Sequence, residues 1–194
     1  MVKYLVFCVF VAASYIVYST FPVDRGPGVM VKEAPEIEGL TWQEPFTFKG
    51  AKVSPKKVIE GEVLVIKRKR YFFDNLTKYT PTDAMVGWNQ LSDERNLDYV
   101  FYSLKDRSFN LDLTRPPLPL NTIYGESDLW HLIPSTSEIS EKVKTLRDGH
   151  IIYVKGLLVD LETEDEKLFT TETDLTATRN SKGMAIWIEE LRIR

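Results

Sequence analysis

Hydrophobic and polar positions along this chain follow three regimes. From Tyr4 to Phe21 no charged residue occurs. A helix of that run would extend roughly 27 Å at about 1.5 Å per residue, enough to cross a hydrocarbon core, with Tyr4, Tyr18 and Phe21 as interfacial aromatics. Residues 1–21 are therefore expected to form a transmembrane anchor that meets the membrane through residues 4–21. A cleaved signal peptide is the alternative, because Val11-Ala12-Ala13 and Val17-Tyr18-Ser19 place small residues near a possible cut. Over 22–55 the pattern breaks. Pro22, Pro27, Pro35, Pro45 and Pro55 are interspersed with Gly26, Gly28, Gly39 and Gly50, which stops any long helix and predicts an extended tether. Trp42, Phe46 and Phe48 are too apolar for a solvated linker, so its later part should dock on the domain that follows.

Residues 56–194 read mainly as strands. Val58–Ile66 is β-branched and runs into Lys67-Arg68-Lys69-Arg70-Tyr71-Phe72-Phe73, Tyr99–Leu104 is aromatic and β-prone, and Phe109–Leu113 alternates. Arg115-Pro116-Pro117-Leu118-Pro119 reads as a loop or a polyproline stretch. His150–Leu161 predicts a central strand bent at Gly156, Leu168–Thr171 another, Asn180–Gly183 a turn, and Met184–Ile193 the closing strand. One short helix is marked at about 136–147: Ser135 or Ser137 can cap it, Ser135 with Glu138 fits a capping box, Ile139, Val143 and Leu146 share a face, and Gly149 terminates it. The expected class is mainly β (α+β), a small curved antiparallel sheet or an OB/SH3-like barrel with that one helix.

Composition narrows the function. With 43% hydrophobic and 27% charged residues, the balance is that of a globular domain, which excludes a disordered chain and a polytopic membrane protein. The net charge of −3 provides no global field for nucleic acid. Lys3 precedes the apolar run, while Asp24, Arg25, Lys32 and Glu33 nearly cancel beyond it. The positive-inside rule then predicts a single-pass protein with its amino terminus inside and its domain outside, periplasmic or extracellular, or secreted if the segment is cleaved. Cys8 is the only cysteine, so intramolecular disulfides and Cys-rich zinc sites are excluded.

Several motifs occur in a recognisable order: Pro81-Thr82-Asp83 with Gly87-Trp88, Ser103 and Arg107, Trp130-His131-Leu132-Ile133-Pro134, a helix leading into Asp148-Gly149, and Gly156-Leu157-Leu158-Val159. Together they resemble a family of small bacterial proteins with one amino-terminal transmembrane segment, in which a His-Leu-Ile-Pro element precedes a helix and a Gly-Asp turn into a long strand. The resemblance runs from about Val58 to the carboxyl terminus. It departs where Gly149 is followed by His150, and where Met184-Ala185 stands in place of a Cys-Glu pair. That family carries no settled activity, so the resemblance implies an architecture and leaves the chemistry open.

Two clusters hold candidate chemistry. His131 could act as a general base oriented by Asp83, with Ser103 as nucleophile and Arg107 clamping an anionic transition state; the same residues also suit structural polar contacts. Lys67, Arg68, Lys69 and Arg70 form the dense basic run, a candidate binding surface for anionic lipid headgroups or cell-wall polymers, or else a charged edge strand protected against aggregation. A location outside the cytoplasm argues against nucleic acid. His131 and His150 lack metal-ligand spacing and no nucleotide-binding glycine loop occurs, so neither metal nor cofactor is expected. The expected function is a membrane-anchored extracytoplasmic accessory or interaction domain of the bacterial envelope, binding an envelope protein or an anionic surface. A hydrolase using His131 with Asp83, Ser103 and Arg107 is the alternative.

Overall fold

The computed structural model describes residues 3, 4, 6–11, 14, 21–175 and 182–194. Its strands run in the order β1 (Glu36–Gly39), β2 (Phe46–Phe48), β3 (Ala51–Arg70), β4 (Thr82–Gly87), β5 (Val100–Lys105), β6 (Ser108–Leu113), β7 (Ser127–Pro134), β8 (Ile151–Glu162), β9 (Lys167–Phe169) and β10 (Met184–Ile193). Among the described residues, a 3-10 turn (Asn89–Ser92) and three short α-helices interrupt them: α1 (Glu94–Leu97), α2 (Leu120–Gly125) and α3 (Ser137–Lys144). The protein is thus mainly β with few helices.

Five of the strands close into a ring. β3 pairs with β8 through Lys52–Leu64 and with β4 through Leu64–Arg70, so this 20-residue strand belongs to both sides of the closure. β4 continues to β7, β7 lies parallel to β10, and β10 returns antiparallel to β8. Alternation then divides every strand between two environments. One face, with Val63, Val65, Ala84, Val86, Trp130, Leu132, Ile186 and Leu158, joins a single buried cluster inside the ring. The other is covered by the chain itself: β2 and β9 bring Phe46, Phe48 and Phe169 over Val159, Leu161 and Ala185, while the β5–β6 hairpin brings Val100, Tyr102 and Leu104 over Met85 and Leu129. Gly156 permits closure, because a Cβ there would lie 2.1 Å from the Trp187 carbonyl oxygen of β10. Its expected role as a bend is replaced by close backbone approach.

Other expectations shift in detail. Pro55 lies inside β3, where the register to β8 slips between Pro55 and Lys57; a bulge accommodates a residue without an N–H. The helix spans Ser137–Lys144 rather than 136–147, and Thr136 caps it in place of Ser135 or Ser137, its hydroxyl accepting the Ile139 N–H at 3.2 Å. Residues 67–70 pair with β4 along their length, so the basic run is not an open edge on that side. The tether docks from its start: the Val23 N–H donates to the Asp148 carbonyl at 2.8 Å, and Met30 and Val31 donate to Ser92 Oγ. Of the expected anchor, Lys3, Tyr4, residues 6–11 and Ser14 are helical, and positions 1, 2, 5, 12, 13 and 15–20 lie outside the described residues. No helix among the described residues is long and apolar enough to cross a membrane. Asn180 and Ser181 of the expected turn also lie outside them.

Candidate functional site

Asp83 and His131 are direct cross-strand partners on β4 and β7. On one face of a sheet such partners sit side by side, and here His131 Nδ1 lies 2.9 Å from Asp83 Oδ1, with each side chain 1% exposed. The approach is close but off the ring's N–H direction, since Nδ1 makes no aligned hydrogen bond. On its other side, Nε2 is 2.7 Å from the Lys182 carbonyl. A carbonyl only accepts, so Nε2 carries a proton and donates it. The ring also stacks at a tilt on Phe169, with centroids 4.5 Å apart.

Arg107 arrives from a different sheet. Asp106 and Arg107 form the two-residue tip of the β5–β6 hairpin, both at positive φ (50° and 59°), the conformation a tight hairpin imposes. For non-glycine residues that strain costs on the order of 1 kcal/mol or more each. It is offset by what the tip holds: Arg107 donates to Asp83 Oδ1 at 3.0 Å and to the Thr80 carbonyl at 2.9 Å, and forks onto Asp74 at 2.8 and 2.9 Å. Its guanidinium also stacks 3.6 Å from the centre of the Tyr71 ring. Burial pushes the Asp74 carboxyl up, but the Arg107 fork and the Thr77 hydroxyl outweigh it and hold the group below its ordinary value. Burial and then the Asp83 charge push the Tyr71 phenol up, against Arg107.

The fold therefore assembles three of the four candidate catalytic residues and leaves one apart. Ser103 points outward on β5, whose residues alternate buried and exposed, and no hydrogen bond or ion pair among the described residues joins it to the other three. A general base has to reach its substrate's proton. Both ring nitrogens of His131 face their own chain. Through Arg107 the cluster joins the hairpin tip and the Tyr71–Pro81 loop to Asp83 on the barrel wall.

Just beyond Tyr71 lies a cleft of about 310 Å³ lined by Lys49, Arg70, Tyr71, Phe72, Lys78 and Lys144, and no acidic side chain among the described residues lines it. Burial and then the charge of Lys144 hold the Lys49 ammonium below its ordinary value. Lys144 is paired with Glu141 at 2.6 Å, and Lys49 donates to the Lys78 carbonyl. The loop above the cleft carries Phe72 and Phe73 at 64% and 99% exposure, their rings 6.3 Å apart. Arg70 lies 5.2 Å from the centre of the Phe72 ring and Lys78 lies 4.6 Å from that of Tyr79.

Of the basic run, only Arg70 reaches this cleft. Lys67 pairs with Asp148 at 2.8 Å, the Arg68 backbone donates to the same carboxylate, and Lys69 donates to the Leu104 carbonyl at 2.9 Å. Lys49, Lys78 and Lys144 come from three separate segments, and sequence reasoning missed them because no spacing links a hairpin turn, a loop and a helix end. Among the described residues no cluster of His, Cys, Asp and Glu could hold a metal ion. No protein-family model matches the chain, and no curated protein and no solved structure matches it either.

Proposed function

We propose that this protein is a membrane-anchored accessory domain of the bacterial envelope, held outside the cytoplasm and working by binding. The observation that carries this reading is at the amino terminus. Tyr4, Val6, Phe7, Val9 and Phe10 are 61–79% exposed, and the barrel buries its own core without them. A run of exposed apolar helical residues needs a cover, and a bilayer is the cover that an uncharged stretch from Tyr4 to Phe21 fits. The family resemblance points the same way.

The ring order β3-β4-β7-β10-β8, with the parallel β7–β10 pair and α3 between β7 and β8, is that of an OB-type barrel. In such barrels the outer face of the second and third ring strands, here β4 and β7, is the usual oligonucleotide platform. The hairpin covers Met85 and Leu129 of that face, and Phe169 covers His131. The β3–β4 loop, which in such barrels flanks that platform, is left open and carries the cationic cleft.

In fractionated cells the full chain is expected in the membrane pellet, extracted by detergent and not by high salt, with its carboxyl terminus open to protease added from outside. Recovery in the soluble fraction, or a protected carboxyl terminus, sinks the reading. The hydrolase alternative, built on His131 with Asp83, Ser103 and Arg107, keeps His131 2.9 Å from Asp83 but has Ser103 outside the cluster. It requires that the purified chain turn over ester or phosphodiester substrates and that His131→Ala abolish this; the anchored-module reading expects no turnover in either protein.

A further inference from the structure

We infer that the Tyr71–Tyr79 loop is a second membrane contact, which seats lipid phosphate groups in the Lys49, Arg70, Lys78 and Lys144 cleft while Phe72 and Phe73 enter the interface of an anionic bilayer. The inference rests on the membrane reading above for the nearness of the bilayer. Three observations converge on it.

The first is apolar. Phe72 and Phe73 stand at the loop tip, and Phe73 is 99% exposed, so folding leaves its ring wholly in water. Adjacent aromatic rings at a protein tip suit the headgroup zone, where their apolar bodies leave water without reaching the hydrocarbon centre. The second is charge. The cleft under the tip gathers four cations from three chain segments with no acidic lining, although Glu141 partners Lys144 and Asp74 on the same loop is neutralised by Arg107. Phosphate oxygens are the complement of such a cleft.

The third is placement. The tether leaving the apolar segment is fastened at Val23 to the Asp148 carbonyl and at Arg25 to the Gly149 carbonyl, while the Asp148 side chain grips Lys67 and Arg68. Gly149, at φ 86°, makes that seat possible, since a Cβ there would strike the Val23 carbonyl oxygen at 1.9 Å. From Arg68 the chain runs only as far as Phe73 to reach the tip, at most roughly 17 Å at about 3.3 Å per residue. The loop tip thus stays within roughly 17 Å of the point beside Arg68 where the tether docks, and Arg107 ties the loop at Asp74 and Thr80 to the barrel wall.

The test uses the full chain in lipid nanodiscs, with an environment-sensitive fluorophore on Asn75→Cys in a Cys8→Ser background, so that both phenylalanines remain. In discs containing phosphatidylglycerol the emission should shift to the blue and be quenched by brominated acyl chains, and high salt should reverse both. In pure phosphatidylcholine discs the label should stay in water. Arg70→Glu with Lys78→Glu should lower the ratio of inserted to free label roughly ten-fold or more, and Phe72→Ser with Phe73→Ser should abolish the brominated-lipid quenching. A label that remains in water in phosphatidylglycerol discs overturns the inference. So does a signal equal in the two lipids, or one unmoved by the charge reversals. The anchor is read separately, by flotation of the same chain with phosphatidylcholine vesicles: failure to float removes the anchor, and only the phosphatidylglycerol-dependent signal speaks to the loop.

Discussion

Replacing Asp128 with Asn should stabilise the protein progressively as pH rises, by under about 1 kcal/mol near pH 4 and by about 4 kcal/mol near pH 8. Asp128 sits on β7 opposite Val86, only 6% exposed, and its Oδ2 has no hydrogen-bond partner among the described residues. Burial first, aided by Glu172, raises its carboxyl from 3.8 to about 7, while the Leu129 amide, His131 and Trp130 pull the other way. The folded state therefore keeps a proton that the unfolded chain releases. Nothing is lost below the unfolded value of 3.8; stability falls as pH climbs from there through about 7, and the whole penalty is present above it. An amide of the same shape never ionises, so the variant should lack this fall over that window. His150 acts at the other end: burial, then Arg147, Arg25 and Arg68, lower it from 6.5 to about 4, so its contribution is lost as pH falls through that range. It is common to both proteins and cancels in the comparison. Urea unfolding of the two proteins across pH 4 to 8 measures the difference, and parallel profiles would show that Asp128 is not protonated in the fold.

Arg107→Ala should lower stability by about 3 kcal/mol, or roughly 6–12 °C in Tm for a chain of this size. The loss is not that of a surface ion pair. The Arg107 side chain is 11% exposed and that of Asp83 only 1%, so truncation leaves a carboxylate without its cation in a place water does not reach. Two consequences separate this from a general packing defect. Asp83→Asn in the Arg107→Ala background should recover more than half of the loss, because it removes the orphaned charge. Arg107→Lys should recover less, since one ammonium cannot serve Asp83, Thr80 and the Asp74 fork together. A thermal-melt cycle with no coupling between positions 83 and 107 would refute the clamp. The same variant should also speed hydrogen exchange in residues 71–80 and 100–113, the two segments that Arg107 fastens.

Parts of this structure are legible along the chain. β5 (Val100–Lys105) falls on the aromatic, β-prone run at Tyr99–Leu104, and Ile139 and Val143 mark the buried face of α3, which begins within two residues of the expected start. The loop at 115–119 follows from three prolines, and the mainly β class from the β-branched runs. Of the candidate residues, His131 is visible as a polar side chain in an apolar run, and Asp83 and Arg107 as turn-type charged residues. Their association is not, because Arg107 comes from a hairpin tip and His131 from a strand 48 positions beyond Asp83. The basic run shows the opposite case: four adjacent cations read as one surface, yet they diverge to Asp148, Leu104 and the cleft.

The division has one physical cause. Local sequence sets what each residue does within about one turn or one strand: Pro55 bars a helix, Thr136 starts one, and β-branched alternation assigns two faces to β3. A period of two says which face a residue occupies but not which strand lies beside it. Only ring closure, decided by long-range pairing of β3 with both β4 and β8, set Asp83 opposite His131, buried Asp128, turned the hairpin over the outer wall, and drew Lys49, Arg70, Lys78 and Lys144 around one cleft.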